Sequence, residues 1–182
     1  MTVAEKIKEK LGYSLMTNHD SIELSIKIFE NGSEAQKKLN RIIRENVFRL
    51  AIENNVDMIF TFVTAFDLQS DIDYLNQLRA MFEQSGGNFY FVELSADVET
   101  RLERNVTPHR LESKKSKRDI EWSNNELVET MNKYKLNSSE GETICPNHIK
   151  INNTHLLPED VADMVINAYN LAPTAKTKSV KL

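Results

Sequence analysis

The sequence predicts an α/β fold, a doubly wound parallel sheet with helices on both faces. Residues 58–63 (Met-Ile-Phe-Thr-Phe-Val) form a short apolar, β-branched run without Gly or Pro. That is the composition of a strand covered on both sides. Residues 88–94 (Asn-Phe-Tyr-Phe-Val-Glu-Leu) form a second run of the same kind, one helical stretch later. Strand, helix and strand in that order make a parallel crossover unit. In open α/β sheets ligands bind outside the carboxyl ends of the strands, which points to residues 64–67 and 95–97.

The chain opens with a helix over Thr2–Leu11. Thr2 and Glu5 have capping-box spacing, Val3, Ala4, Ile7 and Leu11 form the apolar stripe, and Gly12 supplies the stop. Residues 13–16 read as a short strand and 17–20 (Thr-Asn-His-Asp) as a polar turn. Residues 21–30 read as a helix that Asn31-Gly32 ends. Residues 33–54 give a long helix with Ala35, Leu39, Ile42, Ile43, Val47, Leu50 and Ala51 on one side. After the first apolar strand, Ser70 and Asp73 can cap a helix with Ile72, Leu75, Leu78 and Phe82 inside, which Gly86-Gly87 stops. Residues 97–104 follow the second strand as a short helix.

Residues 105–125 are polar and basic, with Pro108 and too few apolar groups for a core, and read as a mobile segment over a site. Ser123 and Glu126 cap a helix to about residue 135. Residues 149–151 form a brief strand, and residues 157–169 an amphipathic helix with Pro158 in its first turn. Residues 173–182 read as a disordered tail, leaving one domain over 1–172.

A net charge of −4 argues against a nucleic-acid surface. No apolar run is long enough to span a bilayer. Cys145 is the only cysteine, so an intrachain disulfide is impossible; the expectation is a cytoplasmic protein. His109, His148, His155 and Cys145 lack metal-ligand spacing, and no protein-held metal site is expected.

The ordered set of elements resembles the small P-loop kinases of the shikimate, gluconate and nucleotide kinase type. It also resembles a group labelled AAA-family or shikimate-kinase-like ATPases. In that group the phosphate loop ends Gly-Lys-Met-Thr-Val, and this chain opens Met1-Thr2-Val3. Residues 13–23 are similar to the second strand and acceptor-binding turn, 101–118 to the lid, and Ile151-Asn152-Asn153-Thr154 to the loop flanking adenine. The resemblance covers about residues 1–170 and implies ATP- and Mg²⁺-dependent phosphoryl transfer to a small hydroxylated acceptor.

One part of the pattern is missing. A Walker loop holds phosphates with backbone N–H groups, a lysine and a helix N-terminus. Here the helix N-terminus is present without the glycines, the lysine or the central strand that precedes them. A start placed at an internal methionine, a cut chain, or a decayed relative would each explain this; the first is favoured. These 182 residues alone are expected to be inactive, and the alternative function is a non-catalytic binding or regulatory relic.

The resemblance implies roles residue by residue. Thr2 would touch phosphate, or simply cap its helix. Asn18, His19 and Asp20 fall where the acceptor binds, with His19 as base or orienter for the acceptor hydroxyl; the same three also suit a solvated turn with Asp20 capping the next helix. Arg104 would stack on adenine and Arg110 would meet the transferring phosphate, with Arg118 as a further lid cation and Asn152, Asn153 and Thr154 flanking the base. Asp67 would hold Mg²⁺ through water, or cap a turn. Arg101, Lys114, Lys115 and Lys117 read as a solvated basic face.

Overall fold

A computed structural model describes residues 2–113 and 118–174. The elements run α1 (Thr2–Leu11), β1 (Ser14–Thr17), α2 (Asn18–Ile26), α3 (Glu34–Glu53), β2 (Met58–Thr61), α4 (Gln69–Gln84), β3 (Phe91–Ser95), α5 (Val98–Asn105), α6 (Pro108–Ser113), α7 (Ile120–Lys133), β4 (His148–Asn152) and α8 (Pro158–Tyr169). The α/β alternation is the one the periodicity predicts. Lys114, Lys115 and Lys117 lie outside the described residues, as does the expected tail from residue 175 onward.

The sheet differs from the expectation of one continuous doubly wound layer. β1 pairs with β2 in parallel, Ser14 opposite Met58 through Thr17 opposite Thr61. β3 pairs with β4 in parallel, Phe91 opposite His148 through Ser95 opposite Asn152. Among the described residues the two pairs are separate, so β2 and β3 each keep one unpaired edge. The consequence shows in burial. All four residues of β2 are only half-buried, although their composition suits a strand covered on both faces. A strand with one neighbour instead of two leaves its side chains open along the free edge.

Side-chain packing holds the halves together. Val3, Ile7 and Leu11 of α1 form a core with Ile151, Val161, Ala162 and Val165; Ile59 of β2 and Val92 and Leu94 of β3 both pack against it. On the other side, Met16, Phe48 and Leu78 gather Met58, Phe60 and Phe89. A second connection runs through residues 135–138. Phe66 N–H donates to the Lys135 carbonyl at 2.7 Å and Lys135 N–H to Asp67 Oδ1 at 3.0 Å. Two residues on, Asn137 Nδ2 donates to Glu93 Oε1 at 2.8 Å and to the Leu94 carbonyl at 3.3 Å. A two-residue step spans about 7 Å at most, so the chain leaving β2 and the end of β3 share one side of the molecule.

Three local readings are corrected. Asn18-His19-Asp20 is not a free turn but the first turn of α2, because Thr17 caps it and its N–H donates to Asp20 Oδ2 at 2.6 Å. The inner line of α3 is Gln36, Arg44, Phe48 and Ala51, while Ile42 and Leu50 are exposed. Residues 105–125 carry a helix, α6, and the start of α7, which Asp119 caps by accepting from Trp122 N–H at 3.0 Å. At the other end of α1, Gly12 has φ +76°, and a Cβ there would sit 2.7 Å from Thr174 Oγ1. Glycine therefore lets Thr174 close on the Leu11 carbonyl.

Candidate functional site

The carboxyl end of the β1–β2 pair carries a buried cation. Arg44 lies on the inner line of α3 and is only 8% exposed. Its Nε donates to Ser21 Oγ at 2.9 Å, and its Nη2 donates to the Asn18 carbonyl at 3.3 Å and to Asn18 Oδ1. The guanidinium stands 5.6 Å from the Phe60 ring centre and 5.9 Å from that of Phe62, within cation–π range. Burial lowers its pKa, with Tyr74 opposing that shift. The same burial raises the Tyr74 phenol, against the pull of the Arg44 charge. Among the described residues no carboxylate pairs with Arg44; these hydrogen bonds go to neutral oxygens.

Arg44 opens into a cleft of about 180 Å³ between α3 and α4, whose α3 wall also carries Lys37, Asn40 and Arg41. Phe62, Asp71 and Tyr74 close the opposite wall. Two polar atoms here are buried without a hydrogen bond, Asn40 Oδ1 and the Tyr74 hydroxyl. Tyr74 lies close enough to Arg44 for the two to interact, which moderates the shift of each. Asp71 is partly committed, since its Oδ2 accepts from Ala65 N–H at 2.9 Å.

The β3–β4 pair ends in a second cluster. Arg104, on the last turn of α5, donates to Asn153 Oδ1 at 3.2 Å, to the Asn153 carbonyl at 2.8 Å and to the Thr154 carbonyl at 3.2 Å. Asn152 Oδ1 accepts from Thr154 N–H and Oγ1, and Asp97 N–H donates to Thr154 Oγ1. Arg104 and the 152–154 loop, singled out separately from the sequence, thus meet as one unit. Arg101 departs from the solvated reading. It is half-buried, and donates to the Ala96 carbonyl and to Asn137 Oδ1, both at 2.8 Å.

The remaining predicted residues are scattered. His19 sits in the first turn of α2 with Nδ1 3.8 Å from Glu23 Oε1. Asp20 and Asp67 each spend an oxygen on a backbone N–H, of Thr17 and Lys135. Arg110 is half-buried on α6, its pKa lowered by burial and raised in turn by Glu126. Arg118 is exposed and donates to the Leu111 carbonyl at 3.1 Å. Thr2 is exposed at the start of α1.

A larger hollow, about 400 Å³, lies beside the buried Glu93 and is lined by residues 138–143, His148 and Lys150. Its polar groups are bonded to each other. Glu93 accepts from Asn137 Nδ2, from Ser138 N–H and Oγ, and from His148 Nε2, with Lys150 Nζ 3.4 Å away. His148 Nδ1 accepts from Ile144 N–H at 3.3 Å, which assigns the ring proton to Nε2. Size favours this hollow, and unmet hydrogen bonds favour the Arg44 cleft. The second criterion is the chemical one, since a ligand supplies what the protein lacks.

Among solved structures, the chain is similar to the Deinococcus radiodurans tunicamycin resistance protein. Identity is 17%, with 95% of this chain and 93% of that chain covered and a TM-score of 0.53. The likeness is one of fold: both are α/β chains, and here the helices alternate with short parallel strands. No protein-family model matches the chain, and no curated protein matches it. Among the described residues no helix is long and apolar enough to cross a membrane.

The sequence reading reached Asn18 through the acceptor turn but missed Arg44. The available signal was the helical line through positions 44, 48 and 51, on which Arg44 has Phe48 and Ala51 as apolar companions. An arginine on an inward line is a candidate buried cation, and charged groups are seldom buried without a task.

Proposed function

We propose that this chain carries the acceptor-binding and lid parts of an ATP- and Mg²⁺-dependent phosphotransferase acting on a small hydroxylated molecule. The observation that supports it most is Arg44, a buried guanidinium at the carboxyl end of a parallel strand pair, fixed by Asn18 and Ser21 and open to a cleft. Ligands of open α/β sheets bind at that end. Arg44, Asn18 and Ser21 form the acceptor cradle, with His19 beside it. Arg104, Asn152, Asn153 and Thr154 form the adenine end at β3–β4.

The described residues do not fit a triphosphate. Gly12, Gly32 and Gly141 each stand alone and Gly86-Gly87 ends α4, and no Gly-x-x-x-x-Gly-Lys run offers the amide cradle that phosphates need. No group of three or more acidic, His or Cys side chains gathers for a metal among the described residues. The roles proposed for Arg110 on the transferring phosphate, Asp67 towards Mg²⁺ through water, and Thr2 and Arg118 near the nucleotide all depend on such a loop.

Calorimetry tests this directly. The 182-residue chain is expected to show no micromolar Mg·ATP binding. A fusion placing an apolar strand and a Gly-x-x-x-x-Gly-Lys loop ahead of Thr2 is expected to bind it. Tight Mg·ATP binding by the unfused chain would mean the nucleotide site lies elsewhere. Failure of the fusion to bind any nucleotide would remove the phosphotransferase reading. Tunicamycin, the compound in the neighbour's name, belongs in the acceptor panel.

A further inference from the structure

We infer that the cleft between α3 and α4 takes a phosphomonoester, so that the acceptor carries a phosphate group seated on Lys37 and Arg41 beside Arg44. This rests on the acceptor reading above and specifies its substrate class. Lys37, Arg41 and Arg44 follow one another at i, i+4 and i+7 on α3, which places them along one face. All three line the cleft, against a single acidic side chain, Asp71, itself held by Ala65 N–H.

The three cations are not equivalent. Arg44 commits Nε to Ser21 and Nη2 to Asn18, which fixes its guanidinium beside the cleft. Lys37 and Arg41 are held only loosely, by Glu34 at 2.8 Å and Glu45 at 3.6 Å, with both pairs largely solvent-exposed. Exposed pairs of this kind are worth little, so exchanging a carboxylate for a more highly charged phosphate costs little. A dianion between two mobile donors and a fixed buried guanidinium gains charge-assisted hydrogen bonds on one side and an undiluted Coulomb attraction on the other.

The unmet groups say what the rest of the molecule must offer. Asn40 Oδ1 is a buried acceptor without a donor, and the Tyr74 hydroxyl is buried beside the Arg44 guanidinium. A ligand hydroxyl or N–H satisfies Asn40, and another polar atom satisfies Tyr74. Phosphate alone meets the cationic face; a hydroxylated carbon skeleton meets the other two. A neutral polyol would leave the cations unanswered, and an apolar ligand would leave all of them so.

Backbone-amide NMR titrations of the ¹⁵N-labelled 182-residue chain test this with three probes at matched ionic strength: inorganic phosphate, glycerol and glycerol 3-phosphate. Phosphate is expected to move the amides of residues 37–44 and 71–74 saturably, and glycerol 3-phosphate to bind at least tenfold more tightly. Lys37→Ala with Arg41→Ala should weaken both by tenfold or more. Lys8→Ala with Lys133→Ala, removing the same charge from other exposed positions, should change either less than twofold. Equal weakening by the two double variants would overturn the site in favour of diffuse charge. If glycerol moves Asn18, Ser21 and Arg44 while phosphate moves nothing on α3, the anion inference falls and the acceptor reading stands. If no probe moves either set, both fall.

Discussion

Each half-sheet buries one charge, and the surroundings of the two charges differ. Glu93, on β3, is 5% exposed and accepts hydrogen bonds on both oxygens from residues 137, 138 and 148, with a lysine close by. Arg44, beside β1–β2, is comparably buried, yet it meets only neutral oxygens, and two of its neighbours in the cleft have unmet polar atoms. A buried charge with every partner in place is part of the scaffold. One whose surroundings are incomplete marks where something else binds.

The sharpest way to break this comparison is at Glu93. Glu93→Ala removes a carboxylate from among Asn137, Ser138, His148 and Lys150 and leaves their donors facing an apolar gap. The expected loss is roughly 3–5 kcal/mol in urea denaturation, the range for breaking a buried charged network. The same carboxylate predicts an acid effect. Burial pushes its pKa up, but the hydrogen bonds from Ser138 and Asn137, with Lys150, outweigh that and hold it below the ordinary 4.5. The folded state therefore binds this proton less readily than the unfolded chain. Its contribution is complete above the ordinary carboxylate value and is lost as pH falls through the lowered one. Stability of the Glu93→Gln variant should fall less steeply below pH about 4.5. An unchanged slope would reassign the acid sensitivity to other carboxylates.

Arg44 should behave differently. Arg44→Met keeps the volume and removes the donors, and is expected to cost about 1–3 kcal/mol because the Asn18 and Ser21 oxygens lose their partners. Its larger effect should be on binding, with acceptor probes losing affinity tenfold or more by NMR titration. A loss of stability as large as that of Glu93→Ala, with binding unchanged, would make Arg44 scaffold after all.

The smallest effect sharpens the scaffold side. Tyr169 donates its hydroxyl to the Phe91 and Asn147 carbonyls at 3.0 and 2.7 Å, fastening α8 to the β3–β4 half. Burial is the main reason its phenol is pushed up to about 12. Tyr13 and Tyr74 are raised by burial as well, so a spectrophotometric titration should show several late-ionising tyrosines, one fewer in Tyr169→Phe, and that variant should lose about 1 kcal/mol. If the substitution removes no late-ionising phenol, the β3–β4 half is looser than its hydrogen bonds imply.

How much of this the sequence disclosed follows from what periodicity can carry. α1 was legible to the residue, since Val3, Ala4, Ile7 and Leu11 all point inward. Apolar runs placed β2 and β3 to within a few residues. Burial of polar groups was not legible. Glu93 and Lys150 sit opposite each other only once β3 and β4 are in register, and residues 137–138 are far from Glu93 in sequence. Arg44 was hidden by the abundance of apolar residues on α3, where Ile42 and Leu50 read as inward but face water. The start of α2 was read late because Asn, His and Asp favour turns in isolation, and here Thr17 and Asp20 turn the same preference into a helix cap.

The separation of β2 from β3 has a mechanical consequence. A continuous sheet transmits force and unfolding through its backbone ladder, so its strands part together. Here the middle is bridged by the α1 core and by residues 135–138, leaving a plane along which the halves can shear at the expense of side-chain packing and the few hydrogen bonds of that segment. Regions joined this way open as separate cooperative units. Amide hydrogen exchange should therefore resolve two protection levels, one for residues 14–17 with 58–61 and another for residues 91–95 with 148–152.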